Sequence, residues 1–347
     1  MKQALAAGKS LTSLMMRRLS TNRKGHLTGV SYLLVGITGI FSLFGCSKVQ
    51  EGQLIFLQPE AGDPFNYPYY LFIPDQVTTD TAIYLIIEPN NSGITHDSLQ
   101  PHIERAASTA SKDFYIGNYV SRKLNIPLLV PAFPRPATDW HIYTHDLDRD
   151  VMLQKDNDLE RIDQQLIGMF EDAQARLRER SINVKDEFLL AGFSASGSFT
   201  NRFTAIHPDR VAAAAAGGTG GLLILPLDSL YGERLMFPNG TGDLKAITGK
   251  AFQKEAFRKT PQYYFIGELD DNDAVPYDDA YSKEEREQIY RLFHKTDLLD
   301  RWKQCRSIYA EQGVAAQFNT YESVAHAHPE AIKKDILGFF VERLDNN

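Results

Sequence analysis

The sequence predicts an α/β fold built on a mostly parallel central sheet with helices on both faces. Two observations lead to this prediction. Short runs rich in β-branched and aromatic residues alternate with longer stretches of helical spacing, and this alternation is typical of strands joined by crossover helices. One run, residues 188–191, is entirely apolar and leads into a Gly-x-Ser sequence, as a strand buried on both faces would before a sharp turn.

Each predicted element follows from a local signal. Runs that end at turn-forming residues such as Pro74-Asp75 and Pro131 predict strands. Apolar residues three or four positions apart predict helices, one of which ends at Gly313. The predicted strands are 69–73, 82–87, 126–130, 188–191, 211–216, 263–266 and 315–321, and the predicted helices are 156–180, 197–206, 283–294, 298–312 and a final one through residue 340.

Parallel strands place their carboxyl ends along one edge of a sheet. Crossovers between them are right-handed, so the loops that leave the strands meet along that edge. Ligands of open α/β sheets bind there. The residues that directly follow the predicted strands are therefore the candidates for chemistry.

The 347 residues fit one large α/β domain with additional segments. We divide the chain into an N-terminal signal at 1–45, a tether with an edge strand at 46–65, and one large α/β domain at 66–347. Residues 219–259 fit no strand–helix unit of the domain. We interpret them as an insertion over the site, although a surface loop with one helix explains them equally well.

Charge is unevenly distributed along the chain. The formal net charge is −7, from 37 basic and 44 acidic residues. Six of the basic residues and none of the acidic ones fall in residues 1–45, so the remainder carries a net charge of −13. An acidic surface of this kind argues against nucleic acid or another polyanion as a partner.

The first 45 residues have the pattern of an export signal. A basic block at 17–24 precedes an uncharged stretch at 27–45, and these are the two regions that such a signal requires. The uncharged stretch has 19 residues, so it is also long enough to be a permanent anchor helix. Because the basic region is long for a signal, Met15 and Met16 are alternative translation starts.

The end of this stretch, Leu-Phe-Gly-Cys at 43–46, resembles the bacterial lipobox. The resemblance implies that Cys46 becomes the lipid-modified N-terminus of a protein anchored in the cell envelope. Because Ser47 rather than aspartate follows, it also implies the outer membrane in a Gram-negative cell. Cys305 is then the remaining cysteine, and we expect it to be a small buried packing residue.

The most informative motif is the run from Gly192 to Ser196. A serine between a buried strand and a helix lies on a sharp turn, which closes only when the residues two positions away are small. Ser194 meets this condition, and exposure on the turn prepares its hydroxyl for nucleophilic attack. Ser196, with Ser194 and Ser198 as its small flanks, is a rival. We prefer Ser194 because it lies two residues beyond the strand end at Ala191-Gly192.

A serine nucleophile needs a base and an acid that orients the base. Asp270 directly follows a predicted strand and is the expected acid, with Asp273 as an alternative. His326 follows the last predicted strand and is the expected base, with His328 as its rival. The chain order of serine, acid and histidine is the order that α/β-hydrolases use.

Two backbone amides are expected to stabilise the oxyanion. Ala195, directly after the nucleophile, offers the first. We expect the second in the turn after strand 82–87, where Asn90 and Asn91 are the favoured donors, although an ordinary turn explains these residues nearly as well.

Taken together, the three loops resemble those of the α/β-hydrolase family, most closely its secreted serine esterases and depolymerase-like members, over residues 66–342. The resemblance implies a serine hydrolase in which His326 deprotonates Ser194. The hydroxyl then attacks the carbonyl of a carboxylic ester, and water later releases the acid. Asp270 would stay ionised and stabilise the imidazolium.

Two positions depart from the family pattern. Ser196 stands where the second glycine of the turn is usual, and it is small enough to be tolerated. Glu-Pro-Asn-Asn at 88–91 replaces the usual His-Gly-Gly of the oxyanion loop. The second departure bears on both the oxyanion hole and the class of substrate.

The sequence contains no metal-ligand cluster, phosphate loop or dinucleotide fingerprint, so we expect no metal and no cofactor. The acidic turn after Asp270 fails as a calcium loop at Ala274. The expected partners are a small-molecule or polymeric ester and, through the lipid anchor, a membrane. A peptidase on the same fold and a non-catalytic binding lipoprotein are the alternative functions.

Overall fold

The computed structural model describes residues 52–294 and 297–345. The predicted signal at 1–45 and the predicted lipidation site Cys46 lie outside the described residues. Among the helices that are described, none combines the length and apolar character needed to cross a membrane.

Eight strands of the described chain form one sheet in the order β1-β2-β4-β3-β5-β6-β9-β10. Strand β2 runs antiparallel to both of its neighbours, and the other six neighbouring strands, β4, β3, β5, β6, β9 and β10, run parallel to one another. A separate hairpin contains β7 and β8. The strands are Gly52–Leu57 (β1), Tyr69–Pro74 (β2), Ile86–Ile87 (β3), Leu128–Pro131 (β4), Phe188–Phe193 (β5), Val211–Gly217 (β6), Ser229–Leu230 (β7), Glu233–Arg234 (β8), Gln262–Gly267 (β9) and Ala316–Tyr321 (β10).

The α-helices lie between these strands. They are Gln100–Ser111 (α1), Ile116–Leu124 (α2), Arg149–Met152 (α3), Ile162–Arg178 (α4), Ala195–Ile206 (α5), Leu244–Thr248 (α6), Lys254–Lys259 (α7), Lys283–Leu292 (α8), Leu298–Glu311 (α9) and Glu330–Asp345 (α10).

The sheet separates two hydrophobic clusters because successive strand residues point to opposite faces. In β5, Phe188 and Leu190 join the cluster that contains apolar residues of α4, α5, α8 and α9. Leu189 and Ala191 join the cluster that contains residues of α1, α2 and α10. Both faces are therefore covered, which explains why this strand has no polar alternation in the sequence.

The predicted fold class is confirmed, and each predicted strand segment overlaps one observed strand. The run 82–87 is paired in the ladder only at its end, as β3. Helices α1 and α2 were not predicted. Neither helix has a side-chain N-cap, and α2 contains Gly117, so the local helix signals of both are weak.

Segment 219–259 forms the hairpin, α6 and α7. Leu222, Leu223, Ile224 and Leu225 are buried in the cluster on the α4 side of the sheet, together with Leu235 and Phe237 of the same segment. None of its residues lines the cavity described below. The structure thus gives the segment a packing role, and its interpretation as an insertion over the site stays a prediction without a supporting contact.

Candidate active site

Ser194 lies on the tight turn between β5 and α5. Its backbone has φ 62° and ψ −130°, a conformation that costs a non-glycine residue of the order of 1–3 kcal/mol. The turn closes only because residue 192 is glycine: a Cβ there would lie 2.1 Å from the carbonyl oxygen of Ser196. Ser194 is half-buried, so its side chain is partly accessible on the turn.

The hydroxyl of Ser196, the rival nucleophile, is already hydrogen-bonded to the backbone in the structure. Its side chain is buried, and its hydroxyl accepts from the amide of Phe193 at 3.0 Å while donating to the carbonyl of the same residue at 2.9 Å. These two bonds stabilise the turn. The arrangement assigns Ser196 to structure and leaves Ser194 as the candidate nucleophile.

His326 and Asp270 are brought together from loops 56 residues apart. Nδ1 of the imidazole lies 3.1 Å and 3.0 Å from the two carboxylate oxygens. The acid is buried and the imidazole is one-quarter exposed. The Nδ1 proton is therefore donated to the carboxylate, which leaves Nε2 free to accept a proton from a nucleophile.

The turn and the imidazole meet at the same edge of the sheet. The amide of Ser194 donates to the carbonyl oxygen of Gly217 at 2.9 Å, and a Cβ on the adjacent Gly218 would lie 2.9 Å from Cε1 of His326. The rings of Phe193 and His326 are in contact, with centroids 4.6 Å apart. No hydrogen bond joins the Ser194 hydroxyl to the imidazole in the described structure; such bonds often form only when substrate is bound.

The alternative acid and base have other surroundings. Asp273 accepts from the buried guanidinium of Arg301 at 2.5 Å. His328 packs between the rings of Phe114 and Phe193, and burial lowers its pKa to about 4. Among the described residues, its Nδ1 atom has no hydrogen-bond partner. Neither residue belongs to the Asp270–His326 pair.

The predicted oxyanion donors are placed unequally. The side chain of Asn90 is fully buried and pairs with the backbone of Phe133 in both directions, at 2.9 Å and 3.1 Å, with His145 as a further neighbour. Asn91 lines the cavity instead. Ala195 begins α5, and the first amides of a helix have no acceptor within it. Ala195 and Asn91 remain candidates; the Asn90 side chain has a structural role, which leaves the backbone amide of Asn90 a candidate as well.

A cavity of about 360 Å³ adjoins the imidazole of His326. The cavity is lined by the turn after β3 at residues 88–91, by α1 and the loop that leads into α2, by the β5–α5 turn, and by the loop before α10. Most of the wall is apolar, with Phe114, Tyr115 and Phe193 as its aromatic residues. A cavity of this kind beside the candidate base is where a substrate would bind.

Glu88 is a wall residue that the sequence analysis did not single out. It lies directly after β3, which is the same signal that led to Asp270. Its carboxyl oxygen accepts from the amide of Gly117 at 2.6 Å. Burial raises the pKa of Glu88 to about 8, although the Gly117 amide and the charge of Lys333 lower it. The acid is therefore protonated at neutral pH.

Replacing Glu88 should change how stability depends on pH. The folded chain keeps a proton that the unfolded chain loses above the ordinary pKa of 4.5, so the free energy of unfolding falls as the pH rises toward about 8. Glu88→Gln should remove this pH-dependent loss of unfolding free energy, which is on the order of 3 kcal/mol between about pH 5 and pH 8. Urea unfolding of both chains at the two pH values measures it. An identical loss in both chains would contradict the buried, protonated acid.

No protein-family model matches the sequence, and a search of curated proteins gives no match. Among solved structures, the chain is similar to poly(aspartic acid) hydrolase-1 from Sphingomonas sp. KT-1, with a TM-score of 0.51, 16% identity, and coverage of 83% of this chain and 97% of that one. This chain has the α/β-hydrolase fold.

Two further solved structures are similar at lower scores. An S-formylglutathione hydrolase from Agrobacterium tumefaciens gives a TM-score of 0.48 at 11% identity, covering 85% of this chain and 96% of that one. An arylesterase gives 0.46 at 12% identity, covering 85% and 84%. In an α/β-hydrolase fold the sharp turn after a central strand presents the nucleophile, and here that turn carries Ser194.

Proposed function

We propose that this chain is a serine hydrolase that cleaves a carboxylic ester through an acyl-enzyme intermediate. The observation that carries the proposal is the Asp270–His326 pair, whose imidazole lies at the same edge of the sheet as the turn that carries Ser194.

The chemistry follows from the roles of these groups. Nε2 of His326 takes the proton of the Ser194 hydroxyl as its oxygen bonds to the acyl carbon. The resulting oxyanion is stabilised by the amides of Ala195 and Asn91. The imidazolium, stabilised by Asp270, then protonates the departing alcohol. Water, deprotonated by the same imidazole, attacks the acyl-enzyme and releases the acid together with the serine.

A fluorophosphonate probe tests the nucleophile directly. It should label the chain at one site, and Ser194→Ala should abolish labelling. Ser196→Ala is the matched control, because it removes a neighbouring hydroxyl that is bonded to Phe193, and it should still be labelled. Intact-mass spectrometry measures the outcome. Labelling of Ser194→Ala at the level of the unchanged chain would place the nucleophile elsewhere.

The ester preference needs a second measurement. A p-nitrophenyl ester and a p-nitroanilide of the same acyl group differ only in the bond that is cleaved. We expect turnover of the ester to exceed turnover of the anilide by at least about 100-fold, a difference of about 2.7 kcal/mol in transition-state stabilisation. Comparable turnover would favour the peptidase on this fold instead.

We also propose that the enzyme is held in the cell envelope by a lipid on Cys46. Support comes from the sequence at 43–46 and the basic and apolar regions before it. Radiolabelled palmitate fed to bacteria that express the chain should enter the protein. Cys46→Ser should remove the label, whereas Cys305→Ser, which changes the other cysteine, should keep it. Equal labelling of the two variants would contradict the anchor.

A further inference from the structure

The guanidinium of Arg105 lies at the wall of the cavity beside His326 and has no acidic partner among the described residues. It donates to the hydroxyl of Tyr115 at 3.0 Å and to the carbonyl oxygen of Ser92 at 3.4 Å. An arginine has five N–H donors, so most of them are left for another acceptor. The two bonds hold the side chain at the cavity although it is exposed.

The wall contains no competing negative charge at neutral pH. Glu88 is the one acidic residue among those that line the cavity, and its raised pKa keeps it protonated. Lys333 lies behind this acid, where its ammonium donates to the carbonyl oxygen of Asp113 at 2.7 Å. Arg105 is therefore the one permanently charged side chain among the residues that line the cavity, in a chain whose net charge is negative.

The remaining surface suits a hydrocarbon segment. Phe114, Tyr115 and Phe193 contribute aromatic walls, and Pro89 and Pro329 contribute apolar ones. A ligand that fills this space would place apolar atoms between the candidate base and the guanidinium. An ester with a short carbon chain that ends in an anion meets both conditions.

We propose that the cavity binds the part of the ester substrate that carries a free carboxylate, with Arg105 as its partner. A planar guanidinium matches a carboxylate by two parallel hydrogen bonds, and a single lining cation suits a single negative charge. This inference rests on the proposed function, because a substrate occupies the cavity for catalysis only if Ser194 and His326 react beside it.

Two substrate pairs test the proposal and distinguish the side of the ester that carries the charge. Mono-p-nitrophenyl glutarate and p-nitrophenyl butyrate differ by a carboxylate on the acyl side. 4-Acetoxybenzoate and phenyl acetate differ by a carboxylate on the alcohol side of the ester. For each pair, the ratio of kcat/KM for the charged ester to that for the neutral one is measured in the unchanged chain and in Arg105→Gln.

We expect one of the two ratios to fall about 5-fold in Arg105→Gln, the size of an exposed ion pair. Arg306→Gln is the matched control, since it removes the same charge from an exposed position on α9 outside the cavity, and its ratios should not change. Unchanged ratios in Arg105→Gln, or an equal fall in the control, would overturn the proposal.

A binding measurement separates this proposal from the proposed function. Ser194→Ala is examined by saturation-transfer NMR with monomethyl glutarate and with its neutral counterpart, methyl butyrate. Signal from the charged ester that disappears in the Ser194→Ala, Arg105→Gln double variant supports the subsite even if the chain hydrolyses nothing. Equal signal in the single and double variants overturns it even if the chain is an active esterase.

Discussion

His326→Ala should lower kcat for a p-nitrophenyl ester by about 10⁴-fold or more. The imidazole is the only group seen beside the turn of Ser194 that is held by a carboxylate, at 3.0 Å and 3.1 Å from Nδ1, among the described residues. Without it, the serine hydroxyl has no base for attack and the alcohol has no acid for departure. Steady-state kinetics at saturating ester, with the fold checked by circular dichroism, measures the effect.

His328→Ala is the matched control for this prediction. It removes an imidazole two residues away that contacts rings instead of a carboxylate. We expect its kcat to fall by less than about 10-fold, through altered packing of the cavity wall. If His328→Ala were the damaging change and His326→Ala the mild one, the base would be wrongly assigned.

Gly192→Ala should be the most damaging of the substitutions for stability. The added Cβ would lie 2.1 Å from the carbonyl oxygen of Ser196 and 2.5 Å from its carbonyl carbon, so β5 and α5 could not keep their approach. Because the obstacle is backbone, it cannot be relieved by a side-chain rotation. We expect the free energy of unfolding to fall by more than about 3 kcal/mol, with loss of the turn that presents Ser194.

Gly338→Ala makes the same chemical change where there is room. A Cβ at Gly338 meets no atom within 4 Å, and the residue lies inside α10. Alanine there should raise the free energy of unfolding by up to about 1 kcal/mol, because glycine is the weaker helix former. Urea unfolding of both variants compares them. A Gly192→Ala chain that unfolds at the midpoint of the unchanged chain would disprove the close approach.

The strand–turn–helix around Ser194 could be predicted because its signals are local. Residues 188–191 are apolar without alternation, Gly192 allows the turn, and a helical stretch follows. The positions of Asp270 and His326 also followed from local sequence, since each comes directly after a predicted strand. Strand periodicity and turn chemistry depend on neighbouring residues, so one chain is enough to recognise them.

The choice between adjacent candidates could not be made in this way. Asp270 and Asp273 lie in one turn, and His326 and His328 in another, with the same residue types and similar flanks. Tertiary packing distinguishes the candidates. Arg301 of α9 forms an ion pair with Asp273, and the rings of Phe114 and Phe193 contact His328. These partners lie far away in the sequence, so no local pattern indicates them.

By itself, then, the sequence determined a mostly parallel sheet, the turn that carries Ser194, and the loops that bring an acid and a histidine to one edge. Only the tertiary structure decided that the Ser196 hydroxyl stabilises the turn by hydrogen bonds to Phe193. It also decided that Glu88 is buried with a raised pKa. Finally, it placed Arg105, which has no acidic partner among the described residues, at the wall of the cavity. The physical reason is that burial, hydrogen bonding and the pKa of a side chain depend on the groups that surround it in space. Those groups are assembled only when distant segments pack together.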